Sequence, residues 1–483
     1  MNHKNNTKEL GTAPIGSLLL KYAIPAVIAM TANSLYNMVD RVFIGHIPDI
    51  GTLSLGGLAV TFPVMNLTAA FGAMVGVGGS TLMSIKLGQK DYGGAERVLG
   101  NIVTLNVIIG ILVTIVGLIF IHPLLTFFGA SENTYSYARE YMSIILLANV
   151  IPHLYLGLNS ALRASGHPHA AMSATVSAVI VNTLLDPIFI FTLGMGIRGA
   201  AIATVLSQTF ALCFVCYKLS DREDLIHLHR GIYRLQRSIV RTVLSIGLSP
   251  FCMQLCACLV VILINQGLTR HGGDTAIAAY GIVNSVTFLF VMVVLGVCQG
   301  MQPIAGYNYG AQQFSRVSEV LRKAIIMATI IMCCSFILCE FFPRYPVLLF
   351  TSDPELMRHT IDGMRIIVCM APVVGFQIVV GNFFQSIGMP KRSIFLSVSR
   401  QLVFLAPFLT IFPDLPLGTD GSPWGTDGVW ASVAAADGIA FLTSAIMLWH
   451  YYHGGGSEQL KSIARAQSIK HRIACFFHHR VTP

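Results

Sequence analysis

Four charged side chains stand inside apolar stretches long enough to cross a bilayer: Asp40, Asp186, Arg400 and Asp437. A charge in a hydrocarbon core is costly and is a functional candidate by default. Asp40 ends a polar stripe with Asn33, Tyr36 and Asn37, whose spacings of three and four put all of them on one helix face. Asp186 follows Asn182 by one turn, and Pro187 after it removes the hydrogen bond to the Thr183 carbonyl and leaves a free oxygen nearby. Thr204 and Gln208 form a similar pair further on. Two carboxylates with amide and hydroxyl oxygens are a donor set for Na⁺, or for one shared proton.

Other chemistry is poorly supported. The Gly-rich run Gly76-Val77-Gly78-Gly79-Ser80 lacks the Lys of a phosphate-binding loop and reads as close helix packing. Cys252, Cys256 and Cys258 resemble a metal cluster in spacing, but no His or carboxylate accompanies them in that run. The 15 His lie mostly in loops and tails. No metal beyond a possible Na⁺ at Asp40, Asn182, Asp186 and Thr204, no organic cofactor and no enzymatic centre is expected. An intramembrane transferase would need an Asp-rich metal motif or a His–acid pair at the membrane face. With no ATP site, a downhill H⁺ or Na⁺ is the expected energy source.

The elements that hold these residues are membrane helices. Of 483 residues, 54% are apolar and 11% charged, against roughly 25% charged in a soluble domain. The mean hydropathy is +0.68. Taking about 20 apolar residues per span, twelve spans are expected, at 17–44, 54–82, 101–121, 137–160, 170–193, 197–217, 239–265, 276–301, 323–341, 361–386, 392–412 and 428–452. The first run is longer than a signal-peptide core and is read as a span. The fold expected is all-α and polytopic.

The +9 net charge invites a nucleic-acid reading. The placement of the charges argues otherwise. Most of the 31 Lys and Arg fall on one side of the membrane, among them Lys86, Lys90, Arg97, Arg163, Arg222, Arg230, Arg234, Arg316, Arg322, Lys391 and Arg392. The positive-inside rule then puts both termini in the cytoplasm of a bacterial inner membrane. Residues 218–238, where Leu225, Ile226, Leu228, Ile232 and Tyr233 interleave with basic groups, suit an amphipathic linker between a lobe at 1–217 and a lobe at 239–452. The basic stretch 453–483 reads as a surface or disordered tail.

The halves repeat. Val64, Leu67, Val75, Gly78, Gly88 and Val98 recur at one constant spacing as Val286, Leu289, Val297, Gly300, Gly310 and Val320, and Gly166-x-Pro168 recurs as Gly388-x-Pro390. Six spans per half is an even number, so the repeat is parallel, giving two six-helix bundles around a central cavity. At 1.5 Å per residue, Asp186 and Thr204 each lie roughly 10 Å from the outer ends of their spans. Asp40 is at a similar depth, so one outer layer is expected. The second half has no acid between Asp362 and Asp414, and between Leu225 and Glu319 only Asp274. The cation layer is therefore not repeated. Arg400 and Asp437 come within about 5 Å in depth and are expected to form a structural ion pair.

The stretch Lys-Tyr-Ala-Ile-Pro25 with Ser-Leu-Tyr-Asn-Met-Val-Asp40-Arg-Val-Phe-Ile-Gly45 resembles the start of a MATE (multidrug and toxic compound extrusion) transporter, of the bacterial MepA-like and DinF-like branch. Similar too are Leu162-Arg-Ala-Ser-Gly-His-Pro168, Asn182-x3-Asp186-Pro187, Gly199-Ala-Ala-Ile-Ala-Thr204 and Gln385-Ser-Ile-Gly-Met-Pro390. The likeness runs from about Gly11 to Tyr452. It implies two V-shaped lobes and antiport of H⁺ or Na⁺ against amphipathic cations. It also implies a cation site at Asp40, Asn182, Asp186 and Thr204, with Tyr36 and Tyr141 beside it. The NorM-type branch places acids in the seventh and tenth spans, where this chain has Gln254 and Gln377. Met30, Asn33, Gln208 and Met301 are candidates for the substrate cavity. The expected partners are small organic cations and membrane lipid, with the chain a monomer and no nucleic acid bound. The competing expectation is a lipid-linked saccharide flippase, which would need a basic cavity; Arg400 is the only basic residue well inside a span.

Overall fold

The computed structural model describes residues 6–48, 50–351, 353–416 and 424–453. The tail from residue 454 lies outside them. All regular structure among the described residues is helical. Ten helices are long and apolar enough to cross a membrane, and two further bent pairs bring the number to twelve. Spans 1 to 6 are Ile15–Gly45, Gly51–Gly88, Tyr92–Ile119, the pair Glu132–Leu147 and Val150–Ala164, Pro168–Thr192, and Gly196–Leu219. Spans 7 to 12 are Arg237–Gly273, Thr275–Gly310, Phe314–Phe341, the pair Pro354–Val368 and Ala371–Ser386, Pro390–Asp414, and Gly425–His453. The bent pairs, at 55° and 53°, are spans 4 and 10, whose sequences open in charged turns.

Several helices overrun their apolar segments. Span 2 continues to Gly88, which packs against Tyr307, and span 9 starts at Phe314. Lipid-facing stripes are plain: Ile108, Ile111, Leu112, Ile115 and Ile119 on span 3 are exposed at helical spacing, as are Leu442, Ile446 and Trp449 on span 12. No water-covered protein would leave such stripes bare.

The internal repeat is visible in the backbone. Lys90 and Gln312, which occupy equivalent places in the two halves, are the two non-glycine residues with positive φ among the described residues, at 62° and 59°. Gly166 and Gly388 both take positive φ before a proline that opens the next helix. The halves touch through equivalent residues. A Cβ on Gly88 would collide with the carbonyl of Tyr307, and one on Gly310 with that of Ile85. Gly78 meets Val243 in the same way, and Gly300 meets Ala23. Gln302 crosses between the halves to donate to Ser80 at 3.1 Å and Thr81 at 2.8 Å. These contacts close the cleft toward the basic face, where Arg316 donates to Ala13 O at 2.6 Å and Asn308 to Leu10 O at 2.9 Å.

The connection between the halves is not a helix. Residues 220–236 are turns and irregular chain strapped across the ends of spans 3 and 6. Asn101 donates to Arg234 O at 3.2 Å and accepts from Gln236 N–H at 3.0 Å, while Thr104 donates to Tyr233 O at 2.8 Å. Ile226 and Ile232 are buried beneath. Glu96 lies 3.4 Å from His229 and 3.7 Å from His227.

Candidate functional site

The first half holds an acidic chamber near the end of the spans opposite the basic face. Span 1 brings Asp40, span 5 Asn182 and Asp186, span 6 Thr204, and span 4 Tyr141 just before its break. Asp186 is fully buried, with Asn182, Thr204 and Asp40 at 1%, 3% and 6% exposure. Helical spacing puts Tyr36 one turn before Asp40, and its hydroxyl lies 3.0 Å from Thr204 Oγ1. Tyr141 faces the same hydroxyl. With its amide oriented to satisfy both ends, Asn182 donates to Asp186 Oδ2 at 2.9 Å and accepts from the Thr204 N–H at 3.2 Å. Asp40 and Asp186 are close enough to act on each other electrostatically.

The local structure follows from the residues. Pro187 cannot donate a backbone hydrogen bond, and the helix widens into a π-helical turn at Ile188–Thr192 immediately after Asp186. Apolar walls of Ile44, Ile190, Ile197, Ala200 and Ala201 seal the chamber. No cation among the described residues forms a salt bridge with either acid, although Arg41 acts on Asp40 electrostatically. The Arg41 guanidinium stacks on Phe62, 5.4 Å from its ring centre. Asp40 Oδ1 is buried with no hydrogen-bond partner. Two carboxylates in a dry site cannot both stay charged without a cation. The chamber gathers the two carboxylates with the hydroxyl oxygens of Thr204 and Tyr36 in one buried place.

The other expected residues scatter. The side chain of Asn37 lies outside those described. Asn33 is exposed, and Gln208 and Met30 are half-buried. Gln299 donates to Met30 Sδ at 3.4 Å across the cleft, which keeps Met30 on the cleft wall. Met301 is fully buried within the second-half core, against the placement expected of a cavity residue. One helical turn is only 3.6 residues, and Met301 falls on the face that points into its own bundle while Gln302 faces the other half.

Arg400 and Asp437 do meet: Arg400 Nε donates to Asp437 Oδ1 at 2.6 Å. Gln377 donates to the same oxygen at 2.9 Å, a second donor that the pairing argument had not included. Sequence reasoning also missed a chain below the acidic chamber. The Tyr155 hydroxyl lies 2.9 Å from Thr175 Oγ1, Asn159 donates to Tyr155 at 3.1 Å, and Arg163 donates to Asn159 at 2.8 Å. The i, i+4 spacing of Tyr155, Asn159 and Arg163 was the available signal.

These features define a multi-pass membrane protein of two repeated helical halves with one buried acidic chamber. The comparisons agree. A sequence model of the MatE family matches residues 25–188 and 250–411, and the chain belongs to that family. It is 23% identical over 437 residues to the multidrug export protein MepA of Staphylococcus aureus (strain MSSA476), covering 90% of this chain and 94% of MepA. A multidrug resistance MATE family transporter of the MOP superfamily in an outward-facing conformation superposes with a TM-score of 0.84 at 26% identity, covering 95% of this chain and 98% of that one. A MATE structure in the bent conformation gives 0.85 at 26% identity, covering 96% and 99%.

Proposed function

We propose that this protein is a cation-coupled exporter: an inward-moving H⁺ or Na⁺ drives amphipathic organic cations out across a bacterial cytoplasmic membrane, with both termini inside. The observation that carries this reading is the pair Asp40 and Asp186, buried, without a salt bridge among the described residues, and with Asp40 Oδ1 unbonded. The kinship with MepA and with multidrug resistance transporters supports the substrate class. Contact of the halves at the basic face, where the positive-inside rule puts the cytoplasm, suits an outward-facing state in which the chamber loads its ion.

The energetics suit such coupling. Raising a monovalent cation 100-fold outside costs about 2.8 kcal/mol, and an inside-negative potential of about 100 mV adds about 2.3 more. One cation moving in cancels the electrical part. Its own gradient supplies the rest, and two carboxylates leave room for a second ion. The test is reconstitution into vesicles with H⁺ and Na⁺ gradients imposed separately while ethidium movement is followed. Wild type responds to one gradient; Asp40→Asn and Asp186→Asn each stay folded and respond to neither. Full gradient-driven transport by both variants would overturn the assignment.

A further inference from the structure

The second half carries a polar site that the coupling reading leaves unused. Like the acidic chamber it lies in a lobe whose fourth span breaks and whose fifth carries a π-helical turn, though not at the repeat-equivalent height. Span 10 breaks before it at Cys369 and Met370, and span 11 widens into a π-helical turn at Ser399–Leu405 that contains Arg400. Four spans converge: Tyr280 from span 8, Gln377 from span 10, Arg400 from span 11 and Asp437 from span 12. Tyr280 stacks near Trp430, with ring centres 5.9 Å apart, and interacts electrostatically with Arg400.

The polarity is the reverse of the chamber's. Asp437 is buried, and its Oδ1 is held by both Arg400 Nε and Gln377. It is a charged acceptor already satisfied. Arg400 is not used up. Among the described residues its one hydrogen bond is through Nε, its terminal amino groups make none, and its side chain keeps 30% exposure. A guanidinium has five N–H donors, and the edge formed by its two terminal nitrogens matches a carboxylate bidentately. Gln377 is 93% buried, and its Oε1, beside the same acid, has no donor. The exposed part of a side chain near mid-membrane depth, ringed by four spans of one lobe, is several kcal/mol better off against water than against lipid tails.

We propose that Arg400 is the recognition point for a carboxylate on the transported compound. Asp437 aims the guanidinium and is itself held in place by Gln377. This inference rests on the export reading for its substrate, but the site itself is tested by binding alone.

The experiment uses the full chain in phosphatidylcholine nanodiscs and a matched pair of fluorophores. Rhodamine B carries a delocalised cation and a free carboxylate; its ethyl ester keeps the cation and lacks the acid. Affinities are read by fluorescence polarisation for wild type, Arg400→Lys and Arg400→Gln/Asp437→Asn, the double change avoiding a lone buried charge. The acid's affinity falls about tenfold or more in the double variant, and the ester's changes by less than about threefold. Arg400→Lys weakens the acid as well, since Lys keeps the charge and loses the fork. Parallel losses for acid and ester, no change in either, or no binding of the acid by wild type would overturn the proposal. Gradient-driven efflux of the ester from vesicles is measured separately. Its failure with the binding pattern intact would remove the export reading and leave the site standing.

Discussion

Each lobe breaks its fourth span and widens its fifth into a π-helical turn, at Ile188–Thr192 and at Ser399–Leu405. At the spacing that matches Gly88 with Gly310, however, the two turns fall at different heights, and the charged cluster beside each follows opposite logic. In the first lobe Asp40 and Asp186 face hydroxyls and an amide, with no cation among the described residues in a salt bridge to either. In the second lobe Asp437 is met by Arg400 at 2.6 Å and by Gln377 at 2.9 Å. In a low-dielectric interior an acid pair without a partner has to acquire one from outside, whereas an acid with a guanidinium needs nothing more. The two halves thus share a helical frame, and side-chain choice leaves two acids together in one lobe and an acid held by a guanidinium in the other.

The largest expected effect comes from removing charge in the first lobe. Asp186→Asn or Asp40→Asn abolishes the response of efflux to an ion gradient, while circular dichroism and size-exclusion profiles stay those of wild type. The second effect reverses the pattern. Asp437→Asn leaves Arg400 without its counter-ion and lowers stability by about 3 kcal/mol. Thermal unfolding of the detergent-solubilised protein shows the drop, and Arg400→Gln/Asp437→Asn restores most of it. A single Asp437→Asn that melts normally but loses coupling would place that acid in the ion path and dissolve the contrast between lobes.

A smaller change follows from Tyr36→Phe, which removes the hydroxyl that meets Thr204 at 3.0 Å. One neutral hydrogen bond is worth about 1 kcal/mol, so the ion concentration that half-saturates efflux rises about fivefold with the maximal rate kept. The smallest expected effect lies on the strap between the lobes. Hydrogen bonding to the Arg230 carbonyl and then to Glu96 raises the pKa of His229. That contribution to holding the strap is complete below about pH 6.5, the ordinary histidine value, and is lost as pH rises through the raised one. Protection of residues 225–236 from hydrogen exchange, taken relative to the intrinsic rate at each pH, accordingly falls from pH 6 to pH 8, and Glu96→Gln flattens the difference.

The sequence made the frame legible because lipid enforces it. Apolar stretches of bilayer length, glycines at one repeated spacing and prolines after positive-φ glycines all encode backbone constraints that a reader can locate. The acidic chamber was legible for a related reason: Tyr36, Asp40, Asn182 and Asp186 follow helical spacing, and depth could be counted along each span. Rotation about a helix axis was harder to read. Met301 and Gln302 are neighbours in sequence, yet one is core and the other bridges the lobes. Gln377 as a second donor to Asp437 depends on how span 10 bends, and so does the position of Tyr141 before the break in span 4. The strap at residues 220–236 has alternating apolar and basic residues, but only the Asn101 and Thr104 side chains on another helix decide that it lies flat without being helical.

The central claim is that coupling resides in the first lobe alone. It is tested most directly by reconstituting wild type, Asp186→Asn and Arg400→Gln/Asp437→Asn into vesicles and measuring ethidium transport with and without the driving ion gradient. The account predicts that Asp186→Asn shows no difference between the two conditions and that the double variant keeps the wild-type difference. Loss of the gradient response in the double variant, with the response kept in Asp186→Asn, would contradict it.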